Sequence, residues 1–260
     1  MQSKAHSVSL PDAVLIGLLT ALVLLAWYAL WLWGRSPYGH LLLHGPPHLR
    51  MAVRNPWLFA AVFITGWTLM TVAMMLPTSF RLVLLFHRMV RDNAAAGWLL
   101  MLLVLGYLGA WLLCGVFLQL VNWLLQAGIA EVPWPASALP ISSAVILTVA
   151  GLYQFSSLKY ACLDKCRSPL SFLISRWQGD NQSVQAIRIG VEHGLFCIGC
   201  CWSLMLLMFL VGTGSLAWML LLGVVMVLEK NVSWGRRLSA PIGVLLLACA
   251  AAILVNGIRS

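Results

Sequence analysis

Long apolar runs separated by short connections are the feature that most constrains how this chain can fold. Of its 260 residues, 62% are hydrophobic and only 9% are charged, and the mean hydropathy is +0.93. A soluble domain carries about 25% charged residues, so this chain has too little polar surface to cover a water-facing fold. The sequence therefore predicts an all-α, polytopic bundle of transmembrane helices.

Seven of these runs are long enough to cross a bilayer, because about 20 helical residues span its hydrocarbon core. The predicted spans are 13–33, 56–76, 97–125, 139–158, 194–211, 216–228 and 238–258. They form one predicted domain over residues 1–260, with no internal repeat. Residues 159–190 form the longest predicted cytoplasmic loop, in which the amphipathic segment 169–177 predicts an interfacial helix.

Lys and Arg are distributed unevenly over the alternate connections between these spans. Twelve fall on one side and four on the other, which places the N-terminus in the cytoplasm and the C-terminus outside, in the periplasm. This bias explains the net charge of +9. No basic tract or aromatic platform predicts nucleic-acid binding, so the predicted partner of the chain is the lipid bilayer.

The fifth span carries the main chemical signal. Cys197, Cys200 and Cys201 fall within an arc of about 100° on a helix, and His193 and Met208 lie on the same arc. Lipid-facing stripes consist of Leu, Ile, Val or Phe, so this stripe is expected to face the bundle interior. Thiolates are soft metal ligands, whereas the alternative interpretation is close helix packing through small side chains.

Three other segments bring soft or acidic side chains to the same leaflet. Met70 and Met74 share a face near the end of the second span, and Cys162 and Cys166 are one turn apart after the fourth span. Glu229, at the end of the sixth span, is expected to be a solvated helix end, an ion ligand or the intramembrane partner of a lysine. The Cys162 pair lies nearer the membrane edge than the fifth-span thiols, so one shared site requires a tilted helix or a re-entrant turn.

Reduced thiols beside methionines predict a transition-metal site, with copper as the favoured ion and zinc as the alternative. The cytoplasm keeps thiols reduced, which suits Cu(I), while four thiolates can also form a tetrahedral zinc site. Lys159, Lys165 and Arg167 are placed to offset the thiolate charge. The predicted ligands are Cys162, Cys166, Cys197, Cys200 and Cys201. The predicted secondary ligands are Met70, Met74, His193, Met208 and Glu229.

Two other classes of function stay open at this point. Adjacent cysteines beside Trp202 are also compatible with a membrane thiol–disulfide or quinone-linked oxidoreductase, although such enzymes act mainly on exported substrates. A structural membrane subunit whose cysteines only pack is the third class. No catalytic residue is assigned, because the chain has no phosphate loop and no nucleophile elbow, and its seven acidic residues include no paired catalytic carboxylates.

Several spaced motifs together resemble a bacterial family over residues 67–230. They are Trp67-x-x-Met70-x-x-Ala73-Met-Met75-x-Pro77, Tyr153-Gln154 with Leu158-Lys159, Cys162-x-x-x-Cys166-Arg167-x-Pro169, Gly194-x-x-Cys197-x-Gly199-Cys-Cys-Trp202 and Glu229-Lys230. In this combination the chain resembles the predicted metal-binding integral membrane proteins, a domain of unknown function. The resemblance implies a multi-pass protein of the bacterial inner membrane. It also implies metal handling or delivery, with a metal-receiving or metal-donating protein as partner.

Overall fold

The computed structural model describes residues 10–35, 56–129, 138–208 and 215–259, which form ten α-helices and two short 3-10 turns. The helices are α1 (Leu10–Arg35), α2 (Pro56–Met75), α3 (Phe80–Val90), α4 (Ala96–Ile129), α5 (Ala138–Tyr153), α6 (Ser157–Arg167), α7 (Pro169–Arg176), α8 (Gln182–Leu206), α9 (Leu216–Asn231) and α10 (Ser239–Arg259). The turns Pro77–Ser79 and Gly235–Leu238 lead into α3 and α10. The predicted all-α fold is confirmed over the described residues.

Four helices of the described part of the chain are long and apolar enough to cross a membrane. They are Pro11–Arg35, Ala96–Val121, Gln182–Leu206 and Gly235–Asn256. Two bent pairs, Ala60–Met75 with Pro77–Val90 and Ile141–Tyr153 with Ser157–Arg167, raise the count to six if each is one span. Each of the seven predicted spans overlaps a helix, but 139–158 is divided between α5 and α6. Helix α9 has only 16 residues, fewer than the about 20 that cross a bilayer. The seven-span count and its orientation stay predictions.

A sharp bend of 61° separates α5 from α6. The sequence predicts that the fourth span continues straight to residue 158, but α5 ends at Tyr153 and a new helix starts at Ser157. Ser156 caps this new helix, since its side chain accepts a hydrogen bond from the Lys159 backbone N–H. The bend turns α6 so that it packs against α8.

The segment 159–190 is mostly helical. It contains most of α6, all of α7 and the first turns of α8, which begins at Gln182 rather than near residue 194. Those first turns are polar, so apolar patterning did not reveal them. The predicted helix at 169–177 is present as α7, and its Phe172 and Leu173 are buried. Its position in a membrane interface stays a prediction.

Glycines set the distance between α4 and α8. A Cβ on Gly190 would lie 3.0 Å from the Leu103 carbonyl carbon and from the Tyr107 nitrogen, and one on Gly194 would lie 3.1 Å from the Tyr107 oxygen. Only glycine leaves room for this backbone approach, and a small residue every four positions is typical of close helix crossings in membranes. The crossing places Tyr107 next to Cys197.

The predicted interior stripe of α8 is confirmed. Cys197, Cys200, Cys201 and Met208 are at most 1% exposed, and His193 is 3% exposed. The outward faces of the long helices carry large exposed apolar side chains, among them Leu18, Leu113, Val145 and Leu245. An extensive apolar exterior of this kind is typical of a lipid-facing surface.

Candidate metal centre

Four thiols from two helices meet in the interior. The Cys166 sulfur of α6 lies 3.9 Å from the Cys200 sulfur of α8, which lies 3.5 Å from the Cys201 sulfur. Cys197 lies one turn before Cys201 on the same face of α8, and both are buried. All four are reduced and at most 8% exposed, and we call them the thiol cluster. Two sulfurs that each lie about 2.3 Å from one ion are at most about 4.6 Å apart, so the Cys166 and Cys200 sulfurs are close enough to bind the same ion.

A buried ammonium group faces the thiol cluster. Lys230 Nζ donates to Cys197 Sγ at 2.9 Å and to Thr78 Oγ1 at 3.2 Å, and the residue is only 3% exposed. It lies within electrostatic range of all four sulfurs of the cluster. The Tyr107 hydroxyl lies 3.1 Å from the Cys197 sulfur and 3.1 Å from the Met75 carbonyl oxygen. A buried cation is costly without acceptors, and the described acceptors of Lys230 are the Cys197 sulfur and the Thr78 hydroxyl.

Cys162 lies at the rim of the thiol cluster. It is half-buried, and a Cβ on Gly199 would come within 2.6 Å of its sulfur, so this thiol packs against the Gly199 backbone. The Tyr153 hydroxyl donates to the Gly199 carbonyl oxygen at 2.5 Å and lies within electrostatic range of the Cys162 and Cys200 thiols. The structure therefore brings four of the five predicted cysteines into one cluster and places the fifth beside it.

His193 lies one turn before Cys197 on α8. Its Nε2 is 3.3 Å from Ser79 Oγ, and its ring lies between the rings of Tyr107 and Phe172. Its Nδ1 is buried and has no hydrogen-bond partner among the described residues. One imidazole nitrogen thus keeps its full capacity to bind a ligand.

The three predicted methionine ligands are buried in the core. Met70 is 7% exposed, and Met74 and Met208 are each 1% exposed. Met74 packs against Gly223 of α9. This packing is typical of methionine as a flexible space-filler, and their role as metal ligands stays a prediction.

Glu229 belongs to a second buried group, which we call the ion-pair network. Lys159 Nζ donates to the two Glu229 carboxylate oxygens at 2.8 and 3.1 Å and also to Gln154 Oε1. Ser239 Oγ donates to Glu229 Oε1 at 2.8 Å, and Gln154 Nε2 donates to Ser203 Oγ at 3.3 Å. All five side chains are at most 1% exposed. Of the three sequence interpretations of Glu229, a solvated helix end is wrong, because the residue is 1% exposed and binds a buried lysine. Its position in a membrane and its role as an ion ligand stay predictions.

Sequence reasoning assigned the wrong lysine to the thiols. Lys159, Lys165 and Arg167 were expected to offset thiolate charge, but the Lys159 ammonium binds Glu229. Arg167 donates to the Glu229 and Ser233 backbone oxygens, and Lys165 is exposed. Lys230 takes that place, with Tyr107 and Thr78 beside it. The signal that could have found Lys230 is a basic residue that follows an apolar run without a break, because a charge at that depth requires a specific partner.

A complete multi-ligand metal site is not preformed. Among the described residues, no group of three or more His, Cys, Asp or Glu side chains has the arrangement that holds a metal ion. The cluster offers pairs of sulfurs at ligand spacing rather than a closed tetrahedron. Low-coordinate binding by soft sulfur is the chemistry that such pairs support.

Buried reduced thiols beside one ammonium group are the chemistry of proteins that handle soft metal ions. Residues 64–253 match the PpoB2 family, described as copper chaperone, and this match covers more than half of the 260 residues. The chain belongs to that family. The matched segment contains all seven cysteines. The predicted resemblance to a metal-binding family is thereby confirmed at the level of copper handling. Neither the curated proteins nor the solved structures contain a significant match.

Proposed function

We propose that this protein is a membrane-embedded copper chaperone that holds Cu(I) between α6 and α8 and delivers it to a partner protein. The observation that carries the proposal is the 3.9 Å separation of the Cys166 and Cys200 sulfurs, which come from positions 34 residues apart. The proposed ligands of the bound ion are the Cys166 and Cys200 thiolates, with the neutral Cys201 thiol next to them. Cys197 lies beside Lys230, and Cys162 lies at the rim, outside this resting site. The proposed secondary ligands are His193, Met70, Met74 and Met208.

Charge balance supports Cu(I) as the cargo. A cuprous ion bound by two thiolates carries one net negative charge, which the Lys230 ammonium neutralises within the buried cluster. Zinc with four thiolates would leave two negative charges against one lysine. Zinc also requires a closed tetrahedral set, whereas the described sulfurs are arranged as pairs.

The length and exterior of the helices support integration into a membrane, which we propose is the bacterial inner membrane. Four long apolar helices, or six with the bent pairs, match the thickness of a bilayer. The exposed large hydrophobic side chains on their outer faces suit contact with lipid. We propose the orientation that the basic residues predict, with the N-terminus in the cytoplasm.

Burial of the thiols argues against an oxidoreductase. Thiol–disulfide exchange requires a thiolate that another sulfur can approach. Cys197, Cys200 and Cys201 are at most 1% exposed. A purely structural role, in turn, gives no reason for a buried Lys230 directed at sulfur, because an apolar side chain would pack there without the desolvation penalty of a charge.

The proposal is tested by Cu(I) binding to the purified protein in nanodiscs. Wild-type protein and a Cys200→Ser variant are titrated with Cu(I) against a chromophoric Cu(I) chelator, and bound copper and zinc are measured. Cys249→Ser is the matched control, since Cys249 is exposed on α10. We expect wild type and control to hold copper and the Cys200 variant to lose it. Equal, near-zero copper in all three proteins would refute the proposal.

A further inference from the structure

We propose that Cys162 is the thiol through which Cu(I) passes between a partner and the thiol cluster, and that Gly199 is the residue that makes this passage sterically open. The proposal rests on the proposed copper function and adds the path and the chemistry of the partner. That partner is a protein that presents Cu(I) on thiolate sulfur.

Exposure of the five thiols falls steadily toward the interior. Cys162 is half-buried, Cys166 is 8% exposed, and Cys200 is fully buried. A partner sulfur exchanges copper only with a protein sulfur that it can touch. Cys162 is therefore the member of this series that an incoming ligand reaches first.

Gly199 shapes the passage from Cys162 to the thiol cluster. The Cys162 sulfur and Cβ would lie 2.6 and 3.3 Å from a Cβ at position 199, so any larger residue displaces this thiol. The Tyr153 hydroxyl fixes the Gly199 carbonyl and lies within electrostatic range of the Cys162 and Cys200 thiols. Cys162 is also one helical turn from Cys166. Residues one turn apart have Cβ atoms about 5–6 Å apart, so the two side chains are neighbours on α6.

The exchange steps balance in atoms and charge. The bond between copper and the partner sulfur breaks as the copper bond to the Cys162 sulfur forms, and the Cys162 thiol proton passes to the departing partner thiolate. Cys166 then takes the copper in the same way, and its thiol proton passes to Cys162. When Cys200 joins as the second thiolate ligand, its thiol proton passes outward by way of Cys162 to the second thiolate of the partner. Copper stays Cu(I) throughout, and the one negative charge that moves inward is balanced by the Lys230 ammonium.

The surface around Cys162 suits an anionic copper–thiolate group on the partner. Lys165 is exposed and lies three positions after Cys162, on the same side of α6. Positive charge near the point of encounter attracts a negatively charged donor group and speeds its approach. The same charge does not hold copper itself, because an ammonium cannot be a ligand of a cation.

The rate of copper loading tests this path, whereas the final copper content tests how well the thiol cluster holds the ion. The full-length protein in nanodiscs is mixed with Cu(I)–glutathione as the thiolate donor, and the rate of loading and the final copper content are recorded. We expect Cys162→Ser to slow loading about tenfold or more with unchanged final copper, because the first exchange partner is lost. Gly199→Ala, which keeps every thiol, is expected to slow loading similarly. Cys249→Ser is the control and should load at the wild-type rate.

Two outcomes would overturn the proposal. The first is that the Cys162→Ser variant loads copper at the wild-type rate. The second is that the Cys162→Ser variant loses as much copper affinity as Cys200→Ser does, since Cys162 would then be a ligand of the resting site. If the Cys162→Ser variant fails to fold, Cys162 is instead methylthiolated in folded wild-type protein, and mass spectrometry locates the modification. We expect this modification to slow copper loading. Unchanged loading after that modification overturns the path. Wild-type protein that takes up no copper overturns the proposed function as well, so the two failures are distinguishable.

Discussion

The thiol cluster and the ion-pair network share helices α6, α8 and α9, yet they are built in opposite ways. In the network, Lys159 and Glu229 neutralise each other, and neighbouring amide and hydroxyl groups complete their hydrogen bonds. In the cluster, Lys230 faces four sulfurs and a threonine hydroxyl. Glu229 and Lys230 are adjacent in sequence but belong to different groups. The ion-pair network has its charges and hydrogen bonds satisfied and therefore holds the helices together. The sulfurs of the thiol cluster are not used up in this way and can bind a metal ion.

The largest expected effect is the loss of one charge from the ion-pair network. Glu229→Leu leaves Lys159 buried and unpaired, which should lower the free energy of unfolding by about 3–5 kcal/mol. Equilibrium unfolding in detergent measures it. Lys159→Met/Glu229→Leu should recover most of the loss. Asp164→Asn is the control, because it removes an exposed 3.4 Å ion pair with Arg236 that contributes about 1 kcal/mol or less. Wild-type stability in Glu229→Leu would contradict the assignment of this network.

A substitution in the thiol cluster should lower the copper affinity strongly and the free energy of unfolding only slightly. Cys166→Ser is expected to weaken Cu(I) binding by about 100-fold or more, since even loss of a supporting residue costs about 10–100-fold in affinity. The free energy of unfolding should change far less than in Glu229→Leu, because the serine leaves no charge unpaired. Competition with a Cu(I) chelator measures the affinity. Unchanged Cu(I) affinity would mean that Cys166 is not a copper ligand, and that α6 does not contribute to the site on α8.

The same substitution at the two lysines sharpens the comparison further. Lys159→Met should destabilise the protein, because it strands the Glu229 carboxylate. Lys230→Met should leave the unfolding free energy of copper-free protein unchanged or higher, since the ammonium there lacks a carboxylate partner among its described contacts. It should weaken Cu(I) binding about tenfold, and Lys230→Arg should retain more affinity. Tighter binding by Lys230→Met would mean that the lysine competes with copper instead of balancing it.

Removal of one neutral hydrogen-bonding group should have the smallest effect. Tyr107→Phe deletes the hydroxyl that lies near the Met75 oxygen and the Cys197 sulfur. We expect a loss of about 1 kcal/mol in the free energy of unfolding and a smaller change in copper affinity than Lys230→Met causes. Complete loss of copper in this variant would place the phenol oxygen among the ligands.

Helical periodicity was enough to predict the thiol face of α8. Three cysteines at positions i, i+3 and i+4 share one side of any helix, and an apolar environment makes that side the interior. Their burial at 0–1% exposure confirms it. The helical segments were predictable for the same reason, because apolar runs of span length have few other folds available to them.

The meeting of α6 with α8 could not be predicted from periodicity. It depends on the 61° bend between Tyr153 and Ser157, where no proline or glycine marks the break. Ser156 is the local signal, since serine favours the start of a helix, but it does not specify the direction in which the new helix leaves. The direction in which α6 leaves the bend also decides whether Lys159 or Lys230 lies beside the thiols.

The central claim is that Cys166 and Cys200 bind the same copper ion. A double-mutant cycle in Cu(I) affinity tests it directly, using Cys166→Ser, Cys200→Ser and the double variant, with the number of bound ions counted in each. If the two sulfurs share one ion, the double variant should bind copper about as weakly as the weaker single variant. The claim would be contradicted if the losses in copper-binding free energy add in full and each substitution removes one bound ion. The two cysteine groups would then be separate copper sites.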